Sequence, residues 1–345
     1  MMIAAWRFAL ALVSAGVLVM VTGAAQAAGT PISSCGLLVT SNAVLTQNLT
    51  CTGHGIRVGG DGVTIDLNGF VIRGDGDAGD YGIDNTGGYD KLTVKNGALR
   101  HFMRGIEARG DADRLSISNV VTSGNTDRGI SVSGDFTSIK SSTASGNAWY
   151  GIYVTGDSAL VQSTVASGNG STGIYLEGDA PSVKSTTAAA NPSYGIYLYG
   201  PSAAIQSSTA CGNGRGIYVY GDGASIRSSD ASGNTLYDGI RVDGNAASVK
   251  SSTASGNAKY GIQLDGDAAS VRSSVASGND ERGIYVHGDA ATIKGNKADG
   301  NGFPGGASDV AGLGILAEDY TTAPAGSNTA RGNDDPAECS PASLC

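Results

Sequence analysis

From residue 105 to residue 300 the chain repeats a short text in which apolar and polar positions alternate. One unit, Gly151 to Thr172, reads GIYVTGDSALVQSTVASGNGST, with Ile, Val or Leu at the second, fourth and eleventh positions and Ala at the sixteenth. Alternation with period two marks strands whose successive side chains point to opposite faces, and the intervening Gly-Asp and Ser-Gly-Asn are turn formers. Each unit therefore predicts three short strands joined by tight corners. No stretch of strong helix formers carries a 3.6-residue apolar stripe, which excludes helical folds and α/β barrels.

Two markers set the period. Gly-Ile starts stand at 55, 82, 105, 129, 151, 173, 195, 216, 239, 261, 283 and 314, with steps of 24, 22, 22, 22, 21, 23, 22 and 22 from 105 to 283. Gly-Asn recurs in the same phase at 124, 146, 168, 212, 233, 256, 278 and 300, with Ala190-Asn191 as its variant. One unit cannot bury its few apolar side chains alone, so the units must stack. Stacking predicts one interior column of Ile130, Ile152, Ile174, Ile196, Ile217, Ile240, Ile262 and Ile284, and another of Ile139, Val161, Val183, Ile205, Ile226, Val249, Val271 and Ile293.

Coils of 22 residues with an Ile column, an Asn corner and three parallel strands per turn resemble the right-handed parallel β-helix repeat proteins of the pectate-lyase-like superfamily. The likeness covers roughly Gly55 to Asn301, and VTIDLNGFVIRG (Val63 to Gly74) and LTVKNGALRHF (Leu92 to Phe102) resemble the first coils of secreted bacterial members. Left-handed hexapeptide helices and calcium-binding nonapeptide rolls need a shorter turn than these markers allow. The resemblance implies an all-β solenoid of about 12 coils rising about 4.8 Å each, a rod on the order of 50 Å long. The expected organisation is a signal peptide over 1–27, an N-terminal cap over 28–54 with Ala43 to Cys51 as its cover, the solenoid over 55–313, and a degenerate coil with a cysteine-containing cap over 314–345.

The leader follows from Arg7, the apolar run Phe8 to Val21 and the small-residue site Ala25-Gln26-Ala27. A secreted or periplasmic protein, associated with a cell surface or free, is expected, with no membrane insertion. Cysteine placement agrees: Cys35 and Cys51 lie near the new N-terminus, and Cys339 and Cys345 at the far end. Four cysteines allow three connectivities; local pairing at each end suits a rod whose ends do not meet, and leaves Cys211 as a Ser replacement within a repeat or a free thiol. The net charge of −9 makes the chain a poor general partner for nucleic acid. A monomer is expected.

Function must lie on the outward columns. After each Gly-Ile the third position reads Ser131, Tyr153, Tyr175, Tyr197, Tyr218, Arg241, Gln263, Tyr285, and the fifth Ser133, Thr155, Glu177, Tyr199, Tyr220, Asp243, Asp265, His287. The residue before the Gly adds Tyr150, Tyr194, Arg215, Asp238, Tyr260 and Arg282, so ten of the 14 tyrosines share one face. Tyrosine ladders stabilise parallel sheets, which is one account of this enrichment. The other is a stacking platform for polysaccharide or another surface glycan, with Tyr153, Tyr175, Tyr197, Tyr199, Tyr218, Tyr220, Tyr260 and Arg282 as its contacts. A basic column (Lys140, Gln162, Lys184, Gln206, Arg227, Lys250, Arg272, Lys294) and an acidic corner (Asp135, Asp157, Asp179, Asp222, Asp267, Asp289) read as solvated ladders, the corner with calcium as its alternative and the strip with an anionic glycan. No cofactor is firmly implied.

Ionisable groups of different kinds converge once: Asp243, Asp265 and His287 in one column, beside Arg241 and Tyr285. An acid pair, a base and a cation for a uronate carboxylate are the ingredients of proton-transfer chemistry. Pectate lyases, polygalacturonases, mannuronan epimerases, chondroitinase-type lyases and the nitrous-oxide-reductase accessory protein share the resembled fold, but their signatures are missing here. Gly53-His54-Gly55 imitates a polygalacturonase triplet, lies in the first coil and is set aside as chance, and scattered His and Met argue against copper. Two classes of function follow: a secreted lyase, epimerase or hydrolase acting on polysaccharide, or a non-catalytic glycan-binding or structural rod.

Overall fold

The computed structural model describes residues 29–302, 313–319, 327–333 and 338–345. The leader expected over 1–27 lies outside them. Every named strand pairs in parallel with the strand one coil away, as Ile130–Ser133 does with Ile152–Thr155 and that with Ile174–Glu177. The fold is a parallel β-solenoid with a period of about 22 residues and about 13 turns. Among the described residues the sheet that follows the Gly-Ile markers has 14 strands and the second sheet 18. A single 3₁₀ turn, Ala342–Leu344, is the helical content among them, and no helix is long and apolar enough to cross a membrane.

Both interior columns stand in the expected register: Ile196 lies between Ile174 and Ile217, and Val183 between Val161 and Ile205. All four of Ile174, Ile196, Val183 and Ile205 are buried, and Ala144, Ala166, Ala188 and Ala210 complete the third side of the core. The end differs from expectation. Ala43–Leu45, assigned to a cover, is a strand of the solenoid itself, held between Thr30–Ile32 and Thr64–Asp66. Leu37–Val39 likewise adds a coil ahead of Ile56, and Cys339–Ser340 adds one behind Ile315. These coils lack the Gly-Ile marker, and so escape a count based on it.

The two markers are one device. The buried asparagines form a ladder in which each side-chain amide donates to the next: Asn169 Nδ2 to Asn191 Oδ1 at 3.1 Å, Asn191 to Asn213 at 3.0 Å, Asn257 to Asn279 at 2.9 Å. The Gly that opens each coil packs against this ladder, and a Cβ at Gly195 would stand 2.6 Å from Asn213 Nδ2. No other residue fits there. The Gly preceding each Asn turns the corner at positive φ, +62° at Gly168 and +66° at Gly212, and Ala190 adopts +55° in its place.

Disulfides Cys35–Cys51 and Cys339–Cys345 join neighbouring residues at each end, and Cys211 is free. At the acidic corner the carboxylates serve the backbone: Asp135 Oδ1 accepts the Asp157 amide at 2.7 Å, and Asp157 Oδ1 accepts that of Asp179 at 2.7 Å. This column is a turn-forming ladder, interrupted where Pro201 has no N–H to donate.

Candidate functional site

The tyrosine columns assemble as the spacing implies, because every coil returns the same position to the same face. Tyr153, Tyr175, Tyr197 and Tyr218 are successive partners. Their rings, however, pack on one another. Tyr153 and Tyr175 are nearly parallel with centroids 5.0 Å apart, Tyr197 and Tyr218 stack at 4.9 Å, and Tyr199 and Tyr220 stack at 5.2 Å. Ring faces expected to receive sugar are thus largely covered by neighbouring rings, and the hydroxyl-bearing edges face outward. Arginines seal the flank: Arg215 lies over Tyr194, Tyr218 and Tyr237, and Arg282 over Tyr260 and Tyr285.

The tyrosine stretch runs directly into the charged cluster. Tyr218 Oη donates to Asp243 Oδ2 at 2.7 Å. Arg241 sits between two acids, its Nε 2.9 Å from Asp243 Oδ1 and one terminal nitrogen 3.3 Å from Asp265 Oδ2. Gln263 Nε2 donates to Asp265 at 2.7 Å. The two carboxyl groups are driven apart electrostatically. Burial raises the pKa of both, but hydrogen bonds from Tyr218 and Arg241 more than offset it at Asp243, which is held below the usual carboxylate range. Asp265 is pushed up by burial and by its hydrogen-bonded neighbour Asp243. Beside them a groove of about 470 Å³ is lined by Pro201, Tyr220, Gly221, Asp222, Asp243 and Gly244, room enough for a small-molecule or sugar ligand.

His287 and Tyr285 belong to the same columns but turn to the next coil. His287 Nε2 meets Asp319 Oδ2 at 2.7 Å, and Tyr285 Oη donates to Glu318 at 2.8 Å. Glu318 and Asp319 escaped the sequence reading because the insertion over 303–312 separates their coil from the regular repeat. The signal was present in Gly314-Ile315, whose fifth position is Glu318. The flanking Asp238 is also part of the arrangement: it is buried, its carboxyl is pushed up by that burial, and Arg215 pairs with it at 3.3 Å.

These features define a parallel solenoid with one decorated sheet and the remaining faces given over to polar ladders. The chain belongs to the right-handed β-helix family: the model described as "Right handed beta helix region" matches residues 32–187 and 81–236. A model described as "Periplasmic copper-binding protein (NosD)" matches residues 162–312. No curated protein matches the chain. Among solved structures, the A-module of the Azotobacter vinelandii mannuronan C-5 epimerase AlgE6 is similar at 14% identity and TM-score 0.51, over 85% of this chain and 86% of that one. The AlgE4 A-module from the same organism is 16% identical with TM-score 0.49, over 85% and 87%. Likeness at this identity shows the fold.

The residues present do not fit copper. Residues 162–312 contain one histidine, His287, one cysteine, Cys211, and no methionine. The His287 ring is held by Asp319, whereas the Cys211 sulfur lies beside the Asp230 carbonyl at the third-strand corner, away from the tyrosine face. Soft ligands that do not converge make no copper site. Among the described residues no three His, Cys, Asp or Glu side chains gather as a metal site requires.

Proposed function

We propose that the protein binds an extended polysaccharide along the tyrosine-bearing sheet, with Arg241, Asp243 and Asp265 engaging the ligand at one end of that sheet. The observation that supports this most is the hydrogen bond from Tyr218 to Asp243, which joins an ordered row of outward hydroxyls to a group of fixed charges beside an open groove. Recognition by hydroxyl edges suits a ligand rich in hydroxyls, and stacked rings hold those edges in place at little entropic cost. The fold shared with an alginate-acting module is consistent with a carbohydrate ligand. The disulfides and the likeness to a periplasmic family model support a location outside the cytoplasm.

Removing the hydroxyls tests this without disturbing the stack. Tyr197→Phe with Tyr218→Phe should weaken binding to a glycan array hit about tenfold, since each lost hydrogen bond is worth roughly 1 kcal/mol, while the melting temperature stays near that of the parent. Equal affinity in the pair of variants, with loss on Lys184→Ala and Lys250→Ala, would move the site to the basic strip of the second sheet.

A second reading, processing of the glycan by elimination, epimerisation or hydrolysis, is favoured by the opposed shifts of Asp243 and Asp265, which supply a carboxylate and a proton-bearing acid in one pair. If Asp265 is the acid, turnover should fall as the pH rises through its raised pKa. Asp265→Asn should abolish turnover and remove that limb while leaving binding intact; full activity in this variant excludes the pair.

A further inference from the structure

The first coils carry a second cluster on the same sheet, roughly 34 Å from Asp243 at seven coil spacings. Arg57, Asp84 and Glu107 are in register there, flanked by His54 and Tyr81, whose ring centroids are 5.3 Å apart. His54 Nδ1 accepts the Tyr81 amide at 3.2 Å. The ring proton is therefore on Nε2, which faces Asp84 Oδ2 at 3.7 Å. Arg57 Nε stands 3.8 Å from the same oxygen. Both distances exceed hydrogen-bond length, so two donors converge on one place without being consumed there. Asp84 spends its other oxygen on the amide and hydroxyl of Thr86.

The far wall is rigid. Glu107 is buried, receives Arg104 at 2.6 Å, and keeps its Oε2 without a partner. Arg104 is fixed in turn by Asp127 at 2.6 Å. From this base Arg109 donates to Glu107 and to Tyr81 Oη, and about half of its side chain remains exposed, as does that of Arg57. Arginines 57, 104, 109 and 128 outnumber the carboxylates of Asp84, Glu107 and Asp127, a positive balance in a chain of net charge −9. At the other end of the sheet the order reverses: Asp243, Asp265, Glu318 and Asp319 outnumber Arg241 and Arg282.

We propose that His54, Arg57 and Arg109 form an anion-binding site at the N-terminal end of the sheet, taking a carboxylate or sulfate group of an acidic oligosaccharide. It rests on the glycan reading above and gives that ligand a charge and a direction, with its anionic group at the end where cations are in excess. Guanidinium groups braced by Glu107 and Tyr81 lose little freedom on binding an oxyanion.

The test is calorimetric titration of the full chain with an oligogalacturonate, a sulfated galactan oligosaccharide and the uncharged galactan oligosaccharide. An acidic ligand should bind at least about tenfold more tightly than the neutral one, and less tightly in high salt. Arg57→Gln and His54→Gln, both at partly exposed positions, should each remove about tenfold of that affinity, and whether the galacturonate or the sulfated ligand responds identifies the oxyanion. Arg109→Gln, checked for an unchanged melt, is the third variant. Unchanged acidic affinity in all three, or equal affinity for the neutral ligand, overturns the site. Loss confined to Tyr197→Phe and Tyr218→Phe removes this site and keeps the glycan face; loss confined to Arg57→Gln and His54→Gln does the opposite. If none of the three ligands binds, both fall.

Discussion

Ile196→Asp should unfold the middle of the solenoid. Ile196 is fully buried and is stacked between Ile174 and Ile217, so the new carboxylate has isoleucine above and below it and no cation within the column. Burying an unpaired charge costs several kcal/mol, and the group will instead stay protonated or drag its coil into water. In a solenoid each coil is stabilised by its two neighbours, so opening one removes an interface on both sides. The matched control is Lys184→Asp, an exposed position between Gln162 and Gln206, where a surface change is worth about 0.5 kcal/mol or less. Denaturant unfolding of the two variants should separate them by several kcal/mol at neutral pH. Equal midpoints would mean that inside and outside are assigned wrongly.

That contrast could be drawn up from the sequence because a period of 22 residues ties every position to a face. The registers Ile130 to Ile152 to Ile174 and Ile139 to Val161 to Val183 follow from counting alone, since a slip of one residue would turn an isoleucine out and a tyrosine in. The end coils were less legible for the same reason. Thr30–Ile32, Leu37–Val39 and Cys339–Ser340 pair in register but carry no Gly-Ile or Gly-Asn. Their apolar residues suffice for a strand but do not announce a repeat.

Spacing also predicts which side chains are neighbours, and Asp243, Asp265 and Arg241 do meet. It does not predict how they turn. A tyrosine 22 residues from another can offer its ring face to solvent or to its neighbour, and contact with the neighbour buries more apolar surface, so the stacks at Tyr153–Tyr175 and Tyr199–Tyr220 form. His287 had two acids within a coil or so, and the unshared Asp319 captures it while Asp265 is engaged by Arg241 and Gln263. His54 looked isolated in sequence because its partner Asp84 lies in a coil of irregular length, a step of 27 residues from Gly55 to Gly82.

The asparagine ladder should prove as sensitive as the apolar columns. Asn213 is buried, and its Oδ1 accepts both the backbone amide and the side-chain amide of Asn191 at 3.0 Å. Its Nδ2 donates to the Ala188 carbonyl at 3.0 Å and reaches Asn234 Oδ1 at 3.4 Å. Asn213→Ala therefore strands the Asn191 donors and the Ala188 acceptor together, and each buried group left unpaired costs about 1–3 kcal/mol. A loss on the order of 3 kcal/mol or more is expected. Asn213→Asp restores the acceptor but not the donor and adds a buried charge, so it should be no better. Because repeat solenoids can open one part at a time, amide hydrogen exchange is the sharper measurement: protection should fall first at Asn191, Gly195 and Ala210, which pack on the lost amide or border it. By contrast, Asp157→Ala at the exposed corner, where the carboxylate serves one backbone amide next to water, should cost about 1 kcal/mol or less. If the two alanine variants unfold at the same denaturant concentration, the ladder contributes no more than an ordinary turn, and the glycines that make room for it need another cause.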